Sequence, residues 1–352
     1  MTLNDEIQAI RYRVAFSRMD YVSVLRLVGE DAYDLTEALC SSDLYLRDSQ
    51  MRHTLWLDES GQPAADLYAC LDDEDVLLLV EGMDGAQAAE YVRRFGPAEF
   101  KVEIRDLTES HELLSLDGPY AWEMMAEIAG PGVIGMPFLT FYNDEAWTCF
   151  RAGKTGEFGY HLLVAKENAG RLQSRLLEMG GRFDMQTVSL PALDLCALEN
   201  WFFSIRHEGR SGANPIELQL QWRLTRRKSF PGSEALDAAR AKAERRRLTC
   251  ALADADAKPG DGVWLAGSRI GEVIRAEPSL LLKRRIVLAL IDERLAHPGL
   301  EMAVGASAAE SGRMLTVSPP LFNNRSLFIQ PQKHSYRSRD EFIYPDIVRE
   351  FP

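Results

Sequence analysis

The segment GKTGEFGYH carries three glycines, at positions 153, 156 and 159, beside a lysine and a histidine. A glycine-rich turn binds phosphate or dinucleotide when it has the spacing of a P-loop or a GxGxxG motif and opens a helix. This segment has neither spacing, and it leads into EFGYHLLVA, whose alternation predicts a strand. The pattern alone therefore predicts a β-hairpin rather than a phosphate site.

The elements that position this turn alternate between strands and helices. VSVLRLVGE predicts a strand as the first element, EDAYDLTEALCSS a helix, and residues 53–82 a three-stranded antiparallel meander. A helix follows over DGAQAAEYVRRF with Asp84 as its cap, and a second strand-strand-helix series ends at ENAGRLQSRLLEMGG. Because the rhythm occurs twice, we expect two related α+β halves.

The second half of the chain changes character. LDLCALENWFFSIR, residues 193–206, predicts a helix that carries Glu199 among apolar neighbours, where a carboxylate needs a partner. SEALDAARAKAERRR predicts a polar linker helix. Beyond Arg247, five short strands (LTCALADA, GVWLAG, RIGEVIRAE, RRIVLALID and GRMLTVS) predict a small barrel or sandwich, followed by an extended tail packed on the surface.

Composition limits the partners that we expect. The 352 residues include 53 acidic and 40 basic side chains, a formal charge of −13, which disfavours nucleic acid. No segment approaches the roughly 18 apolar residues of a membrane span, and the acidic N-terminus lacks a secretory signal. We therefore expect a cytoplasmic protein without a membrane partner. The five scattered cysteines include no CxxC pair, which argues against a disulfide framework and a structural metal site.

Six segments in order resemble the glycine cleavage T-protein, the aminomethyltransferase, and its folate-binding relatives. GKTGEFGYH resembles the family's GYTGExGxE, LSLDGPYAWEMM its LQGP segment, and ALDLCALEN its ARDxLRLEAG helix; ANPIELQLQW, SFPGSEAL and SRIGEVIRAEPSLLLKRRIVLALI follow. The resemblance implies two interleaved α+β domains followed by a C-terminal antiparallel β-barrel, in a ring-like arrangement around a tetrahydrofolate pocket. The domains expected are 1–245 for the folate-binding region, 246–320 for the barrel and 321–352 for the tail.

The resemblance also implies functional residues. Glu199 stands where the family has the carboxylate that grips the pterin, whose edge offers paired donors. Asp66 remains from the acidic pair that supplies the catalytic aspartate, whereas the other position is Ala65. Successive strand residues face opposite sides, so the sequence leaves open whether the catalytic acid is kept. His53 replaces a tyrosine near the folate, where a proton shuttle and a structural role are both open.

The remaining folate-binding residues expected from the resemblance are Glu81, Lys154, Tyr160, Trp222 and Arg275, the last at the glutamate tail of the folate. Several positions depart from the family pattern: glutamate replaces asparagine at 81, lysine replaces tyrosine at 154, histidine replaces glutamate at 161, and leucine and alanine replace arginines at 193 and 197. Such dense changes predict a donor other than an aminomethyl group on a lipoyl carrier protein.

The function predicted is a tetrahydrofolate-dependent one-carbon transferase. It would move a methyl group from a small donor to tetrahydrofolate, as the family's demethylases do, with Asp66 or His53 managing the proton. Ala65 and the two missing arginines favour an alternative, a non-catalytic folate-binding regulatory or iron–sulfur assembly protein. A scaffold that has lost folate altogether is a third possibility, and it predicts no affinity for tetrahydrofolate.

Overall fold

The computed structural model describes residues 2–242 and 245–351. The helices are α1 (Leu3–Tyr12), α2 (Ala32–Leu39), α3 (Gly85–Phe95), α4 (Ala121–Ala129), α5 (Lys166–Gly180), α6 (Leu190–Glu199) and α7 (Ser233–Arg240). The strands before the linker are β1 (Ala15–Arg18), β2 (Val22–Val28), β3 (Met51–Leu57), β4 (Pro63–Asp72), β5 (Asp75–Glu81), β6 (Glu103–Asp106), β7 (His111–Asp117), β8 (Phe141–Asn143), β9 (Trp147–Phe150), β10 (Gly159–Ala165) and β11 (Gln186–Thr187). Those after it are β12 (Arg246–Ala253), β13 (Gly262–Leu265), β14 (Ser268–Ser279), β15 (Arg284–Asp292), β16 (Glu301–Gly305) and β17 (Ser311–Thr316).

Two sheets form the first part of the molecule, and the chain passes from one to the other and back. Strand β1 starts a six-stranded sheet with the order β11-β1-β7-β10-β9-β8. The chain then completes a second sheet, in the order β3-β4-β5-β2-β6, before it returns through β7. The two α+β units are therefore interleaved along the sequence, as expected.

Alternation along the strands determines which side chains reach the space between the sheets. On β4, Ala65 and Leu67 pack under α2 and α3, whereas Tyr68 faces the six-stranded sheet. On β10, Leu162 packs against α4 and α5, whereas Leu163 faces the second sheet. The facing sides of the two sheets thus share one apolar core, and residues two apart on each strand point the same way.

The C-terminal unit is a closed antiparallel barrel with the strand order β12-β15-β14-β13-β16-β17, in which β17 pairs back to β12. The predicted strands fall within it, and β16 was not predicted. The mixed fold with a C-terminal β-barrel is confirmed, while the domain limits at residues 245 and 320 stay a prediction. No helix of the described chain is long and apolar enough to span a bilayer.

The N-terminal elements differ from the prediction. Two elements, α1 and β1, precede the strand β2 that was expected to be first. Thr2 and Asp5 form a capping box, in which the Thr2 hydroxyl accepts from the Asp5 N–H and the Asp5 carboxylate accepts from the Thr2 N–H. The helix buries Ile7, Ile10 and Arg11, so it is part of the core. The cap of α3 at Asp84 is confirmed.

The helix predicted over residues 193–206 is wrong at both ends. It begins at Leu190, where Pro191 occupies the first turn, and ends at Glu199. Trp201 has a φ of 63°, a left-handed conformation that ends a helix. The predicted linker helix is also shorter, since α7 ends at Arg240; residues 243–244 of that prediction lie outside the described residues.

The tail is buried where it begins, so the prediction that it lies on the surface is wrong there. Phe322 belongs to the core that α1 and α6 share with the barrel. The Asn324 side chain accepts from Arg11, and Ser326 donates from both its N–H and its hydroxyl to the carboxylate of Glu157. The tail therefore closes over buried charges of α1 and the glycine-rich turn.

Candidate functional site

A cavity opens where the two sheets meet α6 and the segment that follows it. Its empty space measures about 500 Å³, including the part open to solvent. The polar lining consists of Tyr21, Tyr68, Glu81, Ser115, Asp117, Lys154, Thr155, His161, Asp194, Ser204 and Arg206, and the apolar lining of Met19, Leu193, Ala197 and Phe203. A partly enclosed cavity with converging polar groups is typical of a small-molecule site.

Asp66 lies in a small pocket that adjoins this cavity, surrounded by three basic side chains. Its Oδ1 lies 2.7 Å from His53 Nε2 and accepts from Arg223 Nη1 at 2.8 Å, and its Oδ2 accepts from Lys154 Nζ at 2.8 Å. Burial alone would raise the pKa of this carboxyl, but the three neighbours outweigh burial and hold its pKa well below the usual range. Asp66 is therefore ionised at neutral pH.

His53 touches Asp66 as a neutral ring. Burial, and then the charge of Arg223, lower the pKa of His53 to about 4. Arg223 Nη2 donates to His53 Nδ1 at 3.1 Å, which assigns the proton of the neutral ring to Nε2, beside Asp66. The ring stacks on Tyr68 with centroids 4.4 Å apart. The two residues expected to be catalytic therefore lie together.

The structure answers the question that the Ala65–Asp66 pair left open. Ala65 is fully buried in the core under α2 and α3. Asp66 points from the other face of β4 towards Lys154 and the cavity. The acid that this sequence lacks would thus have faced the helices, and the acid that it keeps faces the site.

Lys154 joins Asp66 to a second set of charges along one wall. Its Nζ donates to Glu81 Oε1 at 2.5 Å. Glu81 Oε2 accepts from Arg206 Nη1 at 2.6 Å, and Arg206 Nη2 donates to Asp194 Oδ1 at 2.5 Å. Opposite charges thus alternate from β4 to α6, and this pairing fixes each side chain in place. The predicted residues Glu81 and Lys154 both line the cavity.

Glu199 does not line the cavity. The residue has 0% exposure, and its Oε2 accepts from Arg11 Nη2 at 2.7 Å while Oε1 accepts from Ser279 Oγ at 2.9 Å. The expectation that this carboxylate needs a partner holds, but the partner is an arginine 188 positions away. Because both oxygens are engaged inside the protein, the predicted grip on the pterin does not agree with this geometry.

Two further predicted residues point away from the cavity while their chain neighbours point inwards. Tyr160 lies in the core against α4 and α5, and His161, the next residue on β10, lines the cavity. Trp222 is 70% exposed, and the adjacent Arg223 reaches Asp66. A direct role for Tyr160 or Trp222 in folate binding is therefore not supported by their positions.

Arg275 is also placed differently from the prediction. It is buried on β14, where Nη1 donates to Glu208 at 2.9 Å and Nη2 donates to the carbonyl of Asp194 at 3.2 Å. It thus connects the barrel to α6 and does not present its guanidinium to a glutamate tail at the surface.

Several site residues were not predicted. Asp194 lies within the quoted segment ALDLCALEN, and Arg206 lies at the end of the helix that was predicted too long, so the wrong helix end concealed it. Asp117 ends β7 inside the quoted LSLDGP segment. An acid at the buried end of β7, directly after Leu116, was the signal that could have revealed Asp117.

Asp117 is a buried carboxyl whose hydrogen-bond donors are hydroxyl groups. Ser115 Oγ donates to Oδ2, and Thr155 Oγ1 donates to Oδ1 at 3.1 Å. In the described part of the chain, no lysine, arginine or histidine forms an ion pair with it. Burial raises its pKa to about 6, although the two hydroxyls and Arg151 act in the opposite direction.

This raised pKa gives a testable dependence of stability on pH. Between about pH 4 and pH 6 the native state binds a proton that the unfolded chain has released, so the free energy of unfolding falls as pH rises. From the ordinary value of 3.8 to about 6, the loss is about 3 kcal/mol and is complete above pH 6. We expect Asp117→Asn to gain up to about 3 kcal/mol relative to wild type at pH 7, and almost none of that at about pH 4. Urea unfolding at both pH values checks this; a gain independent of pH would contradict it.

The fold has a counterpart among solved structures. It matches the crystal structure of the glycine cleavage system aminomethyltransferase T from Bartonella henselae with a TM-score of 0.80 and 21% identity, over 90% of this chain and 89% of that chain. The likeness defines the class of protein as one with an α+β body and a C-terminal barrel.

Sequence comparison defines the family. Residues 1–228 match the GCVT N-terminal domain, and residues 245–323 match the glycine cleavage T-protein C-terminal barrel domain. The chain belongs to the glycine cleavage T-protein family, which confirms the resemblance. The aminomethyltransferase of Thermotoga maritima is 25% identical over 90% of this chain and 89% of its own. The mitochondrial dimethylglycine dehydrogenase of Rattus norvegicus is 24% identical over 86% of this chain and 37% of its own.

Aminomethyltransferases of this family use tetrahydrofolate, and the cavity fits such a ligand. Among the described residues, His161 Nδ1, Ser204 Oγ and Arg206 Nε are buried without a hydrogen-bond partner, and all three residues line the cavity. A buried polar atom without a partner is costly, so a ligand with donors and acceptors would gain affinity there. Leu193 and Phe203 offer apolar surface for a ring.

Proposed function

We propose that the protein is a tetrahydrofolate-dependent one-carbon transferase that moves a methyl group from a small donor to tetrahydrofolate. One observation carries the proposal. Five of the positions at which the sequence departs from the family pattern line the same cavity, namely Glu81, Lys154, His161, Leu193 and Ala197, and His53 lies in the small pocket that adjoins it. Changes concentrated around one cavity in a chain that keeps the family fold point to a changed substrate rather than to a lost site.

The side chains around the cavity have different roles in this proposal. Tetrahydrofolate, when bound, supplies the nucleophilic nitrogen that accepts the carbon. Arg206, Ser204 and His161 would bind its polar edge, and their fixed positions would hold the acceptor against the donor, where positioning alone can supply much of the acceleration. Asp66, ionised beside Lys154, contributes a fixed negative charge at the inner end of the site.

The charged wall favours a small polar donor over a carrier protein. The paired charges from Lys154 to Asp194 occupy the wall that a donor must approach, and a small zwitterion or methylated amine matches alternating charges. One relative is named for dimethylglycine, a small methylated amine, which supports the same class of donor. A lipoyl carrier has no role in this proposal.

A non-catalytic folate-binding role is the alternative, and the environment of Asp66 favours it. Three basic neighbours stabilise the ionised form, so this carboxylate is a weak base. If no other group near the cavity can exchange a proton, the protein would bind folate without transferring carbon.

The test is an anaerobic incubation with tetrahydrofolate and a panel of methylated amines, methyl ethers and methyl sulfides, each labelled at the methyl carbon. We expect labelled methyltetrahydrofolate, detected by mass spectrometry, from at least one small donor. A parallel reaction with an aminomethyl-lipoyl carrier protein serves as the control and should give no product. Product from the carrier alone would contradict the small-donor proposal, and folate binding without any product would establish the non-catalytic alternative.

A further inference from the structure

The acids that surround the cavity fall into two groups. Asp66, Glu81 and Asp194 each contact at least one lysine or arginine, at 2.5–2.8 Å. Asp117 is the exception, since its carboxylate accepts from Ser115 and from Thr155 at 3.1 Å instead. A buried acid without a cation is expensive to ionise, and such an arrangement in a cleft is a marker of function.

The glycine-rich turn is built around Asp117. A Cβ atom added at Gly153 would lie 3.3 Å from Asp117 Oδ1, and one added at Gly159 would lie 3.2 Å from it after first meeting the Ala152 carbonyl oxygen, so the turn packs closely against the carboxylate. Thr155, between these glycines, supplies the hydroxyl donor to Oδ1. Gly159 also pairs directly with Asp117 across β10 and β7. The turn therefore brings backbone and one hydroxyl against this carboxyl, while Lys154 pairs with Asp66 and Glu81, and Arg151 acts on Asp117 only through space.

We propose that Asp117 is a catalytic carboxylate that takes up and returns the proton exchanged when the one-carbon unit is transferred. This inference rests on the proposed function. It follows from the position of Asp117 on the cavity wall, its two hydroxyl donors and the absence of an ion pair in the described residues.

The proton balance of the transfer defines what this residue must do. The lone pair of the acceptor nitrogen forms the new N–C bond, and the bond between carbon and the donor atom breaks with its electron pair left on the donor. The N–H proton of the acceptor becomes acidic and passes to the Asp117 carboxylate. Asp117 then returns that proton to the departing donor atom, so neither an oxidant nor a reductant is required.

The other acid–base groups near the cavity are poorly matched to this exchange. The pKa of Asp66 lies well below its usual range, and burial lowers the pKa values of His53 to about 4 and His161 to about 3. A proton carrier works best when its pKa lies near the working pH, and burial places that of Asp117 at about 6. The titratable groups that face Asp117 from neighbouring elements are Arg151, Tyr21 and Cys196.

The test uses tetrahydrofolate itself as the probe, without any donor. Anaerobic calorimetric titrations at about pH 6, in two buffers with different heats of ionisation, report the protons exchanged on binding. Filling the cavity excludes water from Asp117 and should raise its affinity for a proton, so wild type should take up protons. Asp117→Asn should bind with an affinity within a few fold of wild type and take up none. Thr155→Val, which removes one donor to the carboxylate, should move the midpoint of proton uptake to higher pH.

The outcomes separate this inference from the proposed function. If wild type binds without proton exchange, or if Asp117→Asn keeps the exchange, another group carries the proton and the inference is wrong while folate binding stands. If folded wild type does not bind tetrahydrofolate, both the proposed function and the role of Asp117 are wrong. With an active donor in hand, Asp117→Asn should lose roughly 100-fold or more in kcat with little change in KM, as expected for a lost acid–base group; full turnover would overturn the assignment.

Discussion

Replacing Glu199 with alanine is expected to destabilise the protein by about 3–5 kcal/mol, the cost of leaving one partner of a buried ion pair uncompensated. Arg11 and Glu199 both have side chains with no exposure, and their atoms approach to 2.7 Å. Without the carboxylate, the Arg11 guanidinium would keep only neutral acceptors, on Thr155, Cys196 and Asn324, together with a longer contact to Glu157.

Urea unfolding at pH 7 measures this effect, and Glu90→Ala is the matched control. Glu90 also lies on a helix and pairs with an arginine, but the pair is exposed and 3.8 Å apart, so the control should cost about 0–1 kcal/mol. If Glu199→Ala were as stable as wild type but had lost its affinity for folate, the buried Arg11–Glu199 pair would not be the main role of Glu199. Glu199 would then be a ligand contact, as the sequence predicted. If Glu199→Ala is destabilised as we expect, weaker folate binding by this variant would not identify a pterin contact, because the loss of stability alone could weaken binding.

The sequence predicted elements better than it predicted orientations. The meander of β3 to β5, the Asp84 cap of α3, the order of motifs and the barrel follow from local patterns and from family resemblance. The direction of a side chain depends on which face of a strand or turn is buried, and that is set by distant packing. Tyr160 was chosen where His161 faces the cavity, and Trp222 was chosen where the adjacent Arg223 contacts Asp66.

Long-range pairing accounts for the other differences. Glu199 was recognised as a carboxylate that requires a partner, but Arg11 could not be found because α1 itself was not predicted. Asp117 lies in the LSLDGP segment, and Ser115 two residues before it is a local neighbour, but nothing local indicates that Thr155 and glycine backbone face it rather than a cation. Its environment is assembled from β7, β10 and the glycine-rich turn, which lie together only in the folded protein.

Filling the cavity is expected to abolish tetrahydrofolate binding without unfolding the protein. Ala197 lies on α6 and lines the cavity, so a tryptophan there would occupy the space between the charged wall and Leu193. Because the added ring enters empty volume rather than packed core, the cost in stability should be small compared with overpacking a filled site. Ala86→Trp, at an exposed helical position on α3, is the control for a tryptophan on a helix.

The most direct measurement is anaerobic titration calorimetry with tetrahydrofolate on wild type, Ala197→Trp and Ala86→Trp, with circular dichroism to show that all three are folded. If the cavity between the sheets and α6 is the folate site, wild type and Ala86→Trp will bind with equal affinity and Ala197→Trp will show no binding. Equal binding by all three proteins would place folate elsewhere, and a folded wild type that does not bind would contradict a folate-dependent transferase altogether.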